Sequence, residues 1–290
     1  MTSITITDES LTGLKDKVVT ISGGSSGIGL ATAKLLLSLG ARVSIGDLLP
    51  PPDDVLQADG LIFTPVDVTK WKDLCGWFRE TKQKYGRIDH AFCNAGISHR
   101  ADYFDERVDD DGDPLEPSRL TLEVNLMGVI NMTKLAIWYM RKQESGGSIV
   151  ITASASGMCF QRFGMVDYCA SKHGVIGFMR GLVARDLYPG LSIRINSLAP
   201  AWTDTAIVPR ALLEAVGWKV QSAEDVARSA VILMADESRH GQLIYSAEGK
   251  FLEIEEPILE ATVKVIGASP ETDTTKMAAL RDKIRAAQRH

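Results

Sequence analysis

An open, doubly wound α/β sheet folded as one domain is the architecture this sequence predicts, and three observations carry the prediction. Short, β-rich apolar runs alternate along the chain with longer amphipathic segments, the pattern of parallel strands joined by crossover helices. Several of the runs are apolar nearly throughout, as strands covered on both faces must be. The first run enters a glycine-rich turn, SGGSSGIG at 22–29, and then a helical pattern. That order presents helix N–H groups to an anionic group. The expected sheet is seven-stranded and mostly parallel, with helices on both faces.

In chain order the strand candidates are KVVTIS (17–22), RVSIGD (42–47), LIFTPVD (61–67), IDHAFCN (88–94), SIVITAS (148–154), SIRINSLA (192–199) and QLIYS (242–246). Between the first four lie LATAKLLLSLG (30–40) and WKDLCGWFRETKQKYG (71–86). Their apolar residues recur at spacings of three and four, and a glycine closes each, a helix stop signal. No linker divides residues 15–266. Residues 1–14 read as a polar lead-in, 99–119 as an acidic, proline-containing loop, about 203–219 as a lid on the substrate side, and 267–290 as a charged helical tail.

Composition narrows the function classes. The chain has 290 residues, 45% hydrophobic and 24% charged, with a net charge of −5. It offers no broad attraction to nucleic acid or anionic membranes. Cys75, Cys93, Cys159 and Cys169 show no CxxC pair or other metal-ligand spacing, so no metal site is expected. The opening MTSITITDES lacks a basic region followed by an apolar run, and no apolar run approaches the ~20 residues of a membrane span. The expectation is a soluble, cytoplasmic protein without a membrane span.

The glycine turn supplies Gly23, Gly27 and Gly29, positions where backbone can approach a pyrophosphate closely. Asp47 ends the second strand candidate, close to the ~20 residues downstream at which an acid accepts from an adenosine ribose. A carboxylate there bonds the 2′- and 3′-hydroxyls of NAD and repels the 2′-phosphate of NADP. The next residues, LLPPP, bring no cation. The residues thus favour NAD over NADP. Further along, DYCASKHG (167–174) sets Tyr168 four positions before Lys172, which places both on one face of a helix. Taken alone, that spacing equally describes an ordinary surface pair.

Together these motifs resemble the short-chain dehydrogenase/reductase family, from about Lys15 to Gly249. SGGSSGIG is similar to the family's TGxxxGIG, with Ser22 keeping the hydroxyl of the threonine. CNAG (93–96) resembles NNAG, with Cys93 replacing the first asparagine, and Asp67-Val68 matches the pair that flanks the adenine. LAPAWTDT (198–205) resembles the PGxxxT segment over the nicotinamide, with Ala201 where glycine is usual. The resemblance implies a Rossmann-type fold and a catalytic tetrad of Asn125, Ser154, Tyr168 and Lys172. It implies cofactor contacts from Ser22, Gly23, Ser25, Ser26, Gly27, Ile28, Gly29, Asp47, Leu48, Asp67, Val68, Asn94, Ala95, Gly96, Tyr168, Lys172, Pro200, Ala201, Thr203 and Thr205. YCASKHG, the DVTKW region and the C-terminal half are most similar to the 15-hydroxyprostaglandin dehydrogenase branch and its fungal relatives.

The chemistry such residues support follows from the proton that accompanies hydride transfer at a carbon–oxygen centre. A phenol that titrates near pH ~10 can take it near neutrality only if its pKa falls, and an ammonium at Lys172 and a positive nicotinamide both favour the phenolate. Ser154 would bind the substrate oxygen as its charge changes. In the family Asn125 holds a relay water; by itself it reads equally as a helix-packing amide. Ser154, Phe160, Tyr168 and Trp202 are the expected substrate contacts, with Met158, Met165 and Trp218 nearby. This stretch lacks a basic cluster, which points to a bulky, hydrophobic alcohol or ketone. The leading expectation is an NAD-dependent dehydrogenase acting on a secondary alcohol of a natural-product or lipid-like metabolite. An NADPH-dependent ketoreductase, a non-redox cyclase or isomerase, and a binding protein on the same fold are the alternatives. Gly174, Gly177 and Gly181 form a small-residue face, and the family's use of this helix implies a homodimer or homotetramer.

Overall fold

The apolar runs form the strands β1 (Thr2–Ile4), β2 (Val18–Ser22), β3 (Arg42–Asp47), β4 (Leu61–Pro65), β5 (His90–Cys93), β6 (Gly147–Thr152), β7 (Ile193–Pro200), β8 (Leu243–Ala247) and β9 (Lys250–Glu253). The helices are α1 (Gly27–Ser38), α2 (Asp53–Leu56), α3 (Trp71–Tyr85), α4 (Leu120–Leu122), α5 (Val129–Met140), α6 (Val166–Leu182), α7 (Arg210–Ala215), α8 (Ala223–Ala235) and α9 (Glu255–Ile266). This computed structural model describes residues 2–158, 164–183, 192–208, 210–267, 279–280 and 283.

All strands belong to one sheet, ordered β1-β9-β8-β7-β6-β5-β2-β3-β4. The seven strands from β4 to β8 pair in parallel throughout, as the sequence predicts. Among the described residues the expected strand count is corrected from seven to nine: β9 pairs antiparallel with β8, and β1 pairs antiparallel with β9. A two-residue hairpin creates the first addition. Glu248 and Gly249 both have positive φ, 51° and 71°, the backbone a primed turn demands. Residues 1–14 are correspondingly more than a lead-in, since Thr2–Ile4 forms the sheet edge and Leu11 and Leu14 are buried. Strands of three and four residues are too short to show a period.

Both sheet faces are covered, and β6 shows how. Val150 packs with Leu36, Val226 and Leu233 beneath α1 and α8, whereas Ile149 and Ile151 pack with Trp77, Met132 and Met179 beneath α3, α5 and α6. Successive side chains point to opposite faces, so a strand with both faces buried is apolar at nearly every position. Trp77 also takes a polar hold: its Nε1 donates to Ser44 Oγ at 2.8 Å, and that hydroxyl lies 2.7 Å from Thr81 Oγ1. The continuous helical run Leu120–Met140 is long and apolar enough to cross a membrane by length and composition. Met132, Leu135, Ala136 and Met140 from it are buried in the core, which accounts for its composition without a bilayer.

The topology places the site. From β2 the chain turns outward to β3 on one side, and β5 lies on the other, so a crevice opens at their carboxyl ends. Register aligns Ser22 with Gly46 and with Cys93. The glycine turn, Asp47 and the CNAG segment therefore meet there.

Candidate active site

Backbone proximity explains the glycine turn. A Cβ on Gly29 would stand 2.0 Å from the Gly23 carbonyl oxygen, so no side chain fits. Gly23 has φ of 65°, and a Cβ on it would meet Ala95 Cα at 2.8 Å. Asp47 is brought to this turn: its Oδ2 accepts from Ser25 N–H at 3.0 Å and its Oδ1 from Leu48 N–H at 2.7 Å. Ser25 Oγ is buried and lacks a hydrogen-bond partner, and Ser26 caps α1 without a side-chain bond to its free N–H groups. Unpaired buried donors beside a helix N-terminus suit the phosphates of a dinucleotide. The residues present therefore fit NAD or NADP, which Ser25, Ser26, Gly27, Ile28 and Gly29 would hold at the phosphates and Asp47 and Leu48 at the adenosine end.

Asn94 ties this turn to the strand ends. Its Nδ2 donates to the carbonyls of Ser22 and Gly23, and Ser22 Oγ accepts from the N–H groups of Asn94 and Ala95 at 3.0 and 3.1 Å. Asn94 Oδ1 in turn accepts from Thr152 Oγ1 at 3.2 Å, and the Thr152 carbonyl accepts from Lys172 Nζ at 2.8 Å. One chain of polar contacts thus runs from the glycine turn to Lys172. The sequence reading did not name Thr152. It lies two positions before Ser154, at the end of a strand candidate, which was the available signal.

Tyr168 and Lys172 both project from α6, with Nζ 5.7 Å from the centre of the phenol ring. Lys172 is 3% exposed, and burial pushes its ammonium down from the ordinary 10.5 to about 8. The Ser154 hydroxyl lies beside the Tyr168 phenol and favours its charged form, and Ser154 Oγ accepts from Ser156 N–H at 3.1 Å. The chain itself does not lower the phenol as the sequence reading expects. Burial raises Tyr168 above its ordinary value, and the nearby Ser154 hydroxyl opposes that only in part. Any fall must come from a positive group brought beside the ring.

Asn125 lies in a π-helical turn, Glu123–Gly128, between α4 and α5. Such turns re-aim a side chain out of helical register. Its amide accepts from Ile97 N–H at 2.8 Å and donates to the Ile97 carbonyl at 2.9 Å and to Ser171 Oγ at 3.3 Å. It binds backbone and the catalytic helix at once, so the packing role is present in the structure. Gly96 sits between them, where a Cβ would lie 3.3 Å from Asn125 Oδ1 and 3.7 Å from Lys172 Nζ.

The remaining expected contacts divide. Thr205 reaches the cofactor side, its Cγ2 only 3.0 Å from where a Gly27 Cβ would stand. Thr203 is buried and already engaged, donating to the Ala201 carbonyl and accepting from Gln221 Nε2. Pro200 ends β7, and Ala201 N–H bonds the Ser246 carbonyl. Asp67 is bound by Thr69 and Lys70, whereas the Val68 side chain is in the core against Gly128. On the substrate side, the Trp202 and Trp218 rings lie 5.5 Å apart. Met165 is half-buried, and Met158 packs against the core. Phe160, an expected substrate contact, and Cys159 lie outside the described residues. Cys93 is buried against Thr133, and burial pushes its thiol up to about 12, so it acts as a small apolar side chain.

A doubly wound sheet, a glycine turn with an acid beside it, and a phenol, an ammonium and a hydroxyl in one crevice define a nucleotide-dependent oxidoreductase. Residues 17–216 match the family described as short chain dehydrogenase. The chain is 48% identical over 282 residues to the short-chain dehydrogenase/reductase ascJ of Acremonium egyptiacum, covering 94% of each protein. It is 30% identical over 201 residues to 15-hydroxyprostaglandin dehydrogenase [NAD(+)] of Homo sapiens, covering 66% of this chain and 70% of the relative. The crystal structure of a short-chain type dehydrogenase/reductase from Mycobacterium marinum superposes with a TM-score of 0.71 at 27% identity, covering 83% of this chain and 97% of that one. The chain belongs to the short-chain dehydrogenase/reductase family, whose members are NAD(P)-dependent oxidoreductases acting on CH–OH groups.

Proposed function

We propose that this protein is an NAD-dependent dehydrogenase that oxidises a secondary alcohol of a bulky, hydrophobic metabolite, of natural-product or lipid-like type, to the ketone. The observation that carries the reading is the grouping of Ser154, Tyr168 and buried Lys172 in one crevice. NAD, when bound, supplies the hydride acceptor. Tyr168 takes the hydroxyl proton, Ser154 holds the substrate oxygen, and Lys172 holds the phenolate and fixes the geometry of transfer. Asn125 keeps the Ile97 backbone and Ser171 in place behind Lys172.

Preference for NAD rests on Asp47, whose carboxylate lies at the glycine turn with no cation following it in LLPPP. The human relative, named 15-hydroxyprostaglandin dehydrogenase [NAD(+)], supports the same choice. The Trp202–Trp218 pair favours an apolar substrate. The reading includes a place in secondary metabolism and a homodimer or homotetramer. Gly174 on α6 packs under Leu126, whereas Gly177 and Gly181 meet nothing within 4 Å among the described residues, leaving room for a close approach from outside.

Hydroxysteroids, prostanoids and polycyclic terpenoid or polyketide alcohols, assayed by NADH absorbance with NAD and with NADP, test the proposal. Turnover of a secondary alcohol with NAD at least about tenfold better than with NADP is expected. A large preference for NADPH-driven ketone reduction would overturn the Asp47 argument.

A further inference from the structure

We propose that Asp167 is a positioning residue that fastens the start of the acidic loop to the turn of α6 bearing Tyr168, and so builds the substrate-side wall beside the phenol. The proposal rests on the dehydrogenase reading of Tyr168 and Lys172.

Asp167 is 1% exposed, and among the described residues no Lys or Arg side chain is hydrogen-bonded to it. Its Oδ2 accepts from the N–H groups of Arg100 and Ala101 at 2.9 and 3.1 Å. Its Oδ1 accepts from Tyr168 N–H at 2.8 Å, one of the donors left free in the first turn of a helix. The Thr121 hydroxyl beside it also helps hold the carboxyl down, while donating to the Ser98 carbonyl at 3.3 Å. Burial alone would raise this carboxyl. The donors of Arg100, Thr121, Ala101 and Tyr168 bring it below its ordinary value, so it is a carboxylate at neutral pH.

The positions explain what the contact does. Asp167 and Ser171 are four residues apart, one face of α6, and Tyr168 and Lys172 are the next pair around the same helix. The segment 97–101 is held along the first face at two points. Asn125, itself bonded to Ser171, takes both backbone groups of Ile97, and Asp167 takes Arg100 and Ala101. Ser98 and His99 are carried between these clamps, alongside the turn that bears the phenol. Thr121 lies just after the loop's far end and donates to the Ser98 carbonyl, so both ends of residues 99–119 are held beside the catalytic helix. Without it, the amides of Arg100 and buried Ala101 lose their acceptor.

Asp167→Asn tests this, because it keeps the shape but sets an amide against three N–H groups. Hydrogen exchange of residues 100–104 is expected to accelerate at least tenfold. The KM for the alcohol found in the screen should rise at least fivefold, while the KM for NAD and the midpoint of the pH profile stay within twofold and a few tenths of a pH unit. Unchanged exchange and unchanged alcohol KM would overturn the proposal, as would a loss confined to the fraction of active enzyme. Should Asp167→Asn fail to fold, Thr121→Val removes the hydroxyl that steadies that carboxylate and bonds the Ser98 carbonyl, and exchange of the same residues should quicken two- to fivefold; no change there overturns the proposal equally. If the wild type turns over no alcohol, the dehydrogenase reading fails. Faster exchange in the variant then still upholds the clamp, and unchanged exchange still refutes it.

Discussion

Replacing Lys172 by methionine should make the protein more stable at neutral pH while abolishing activity. Burial lowers the ammonium from 10.5 to about 8, and among the described residues its hydrogen bond goes to the Thr152 carbonyl at 2.8 Å. A folded-state pKa below the unfolded one means that the unfolded chain binds the proton more tightly. The cost is therefore present in full below pH 8 and fades as pH rises from about 8 to 10.5. At 1.36 kcal/mol per pH unit the cost is about 3 kcal/mol, against about 1 kcal/mol lost with the hydrogen bond. The net gain for Lys172→Met is about 2 kcal/mol at pH 7, or roughly 4 °C in Tm at this chain length. Denaturant unfolding of both proteins at pH 7 and pH 10 measures it, and the gap should shrink at pH 10. A variant less stable than wild type at pH 7, with a difference that does not change with pH, would refute the reasoning. A buried charge that costs stability is what a site retained for chemistry looks like.

Three other outcomes follow from the same structure. Asp47→Ala should relax cofactor choice: a carboxylate within about 5 Å of a 2′-phosphate costs about 1–3 kcal/mol, so the NADP/NAD ratio of kcat/KM should rise about 5- to 150-fold. An unchanged ratio would remove Asp47 from the adenosine site. Gly29→Ala puts a Cβ against the Gly23 carbonyl and should weaken NADH binding, read by fluorescence titration, at least a hundredfold, whereas near-normal binding would show that the turn is not the phosphate site. His90, buried at the start of β5 with its Nδ1 2.7 Å from Ser148 Oγ, is held down to about 3 by burial. The unfolded imidazole protonates near 6.5, so wild type should lose about 1.4 kcal/mol per pH unit through this group between pH 6 and 4. His90→Asn should show a shallower acid limb in denaturant titrations, and an identical slope would count against it.

Much of the fold is legible because the parallel strands are buried on both faces and read as continuous apolar runs. The edge is not, since β9 and β1 are short and depend on the Glu248–Gly249 turn and on contacts between the two ends of the chain. Within the site, Tyr168, Lys172, Ser154, Asp47 and the glycines stand in motifs whose spacing reflects a required backbone. Thr152, Ser171, Gln221 and Asp167 act through polar contacts with residues distant in sequence, and such contacts leave no period. Val68 and Thr203 match family motifs, yet one side chain belongs to the core and the other to the loop's own bonds. The elevated phenol is likewise invisible in a Tyr-x-x-x-Lys spacing, because it depends on burial rather than on the neighbouring charge alone.

The most direct test of the account is Tyr168→Phe, which removes the proton carrier while barely changing shape. Turnover of the NAD-linked alcohol should fall at least about a thousandfold, in line with loss of a general base, with NADH binding within about twofold of wild type. A Tyr168→Phe enzyme that keeps full turnover would contradict the assignment of proton transfer to this phenol.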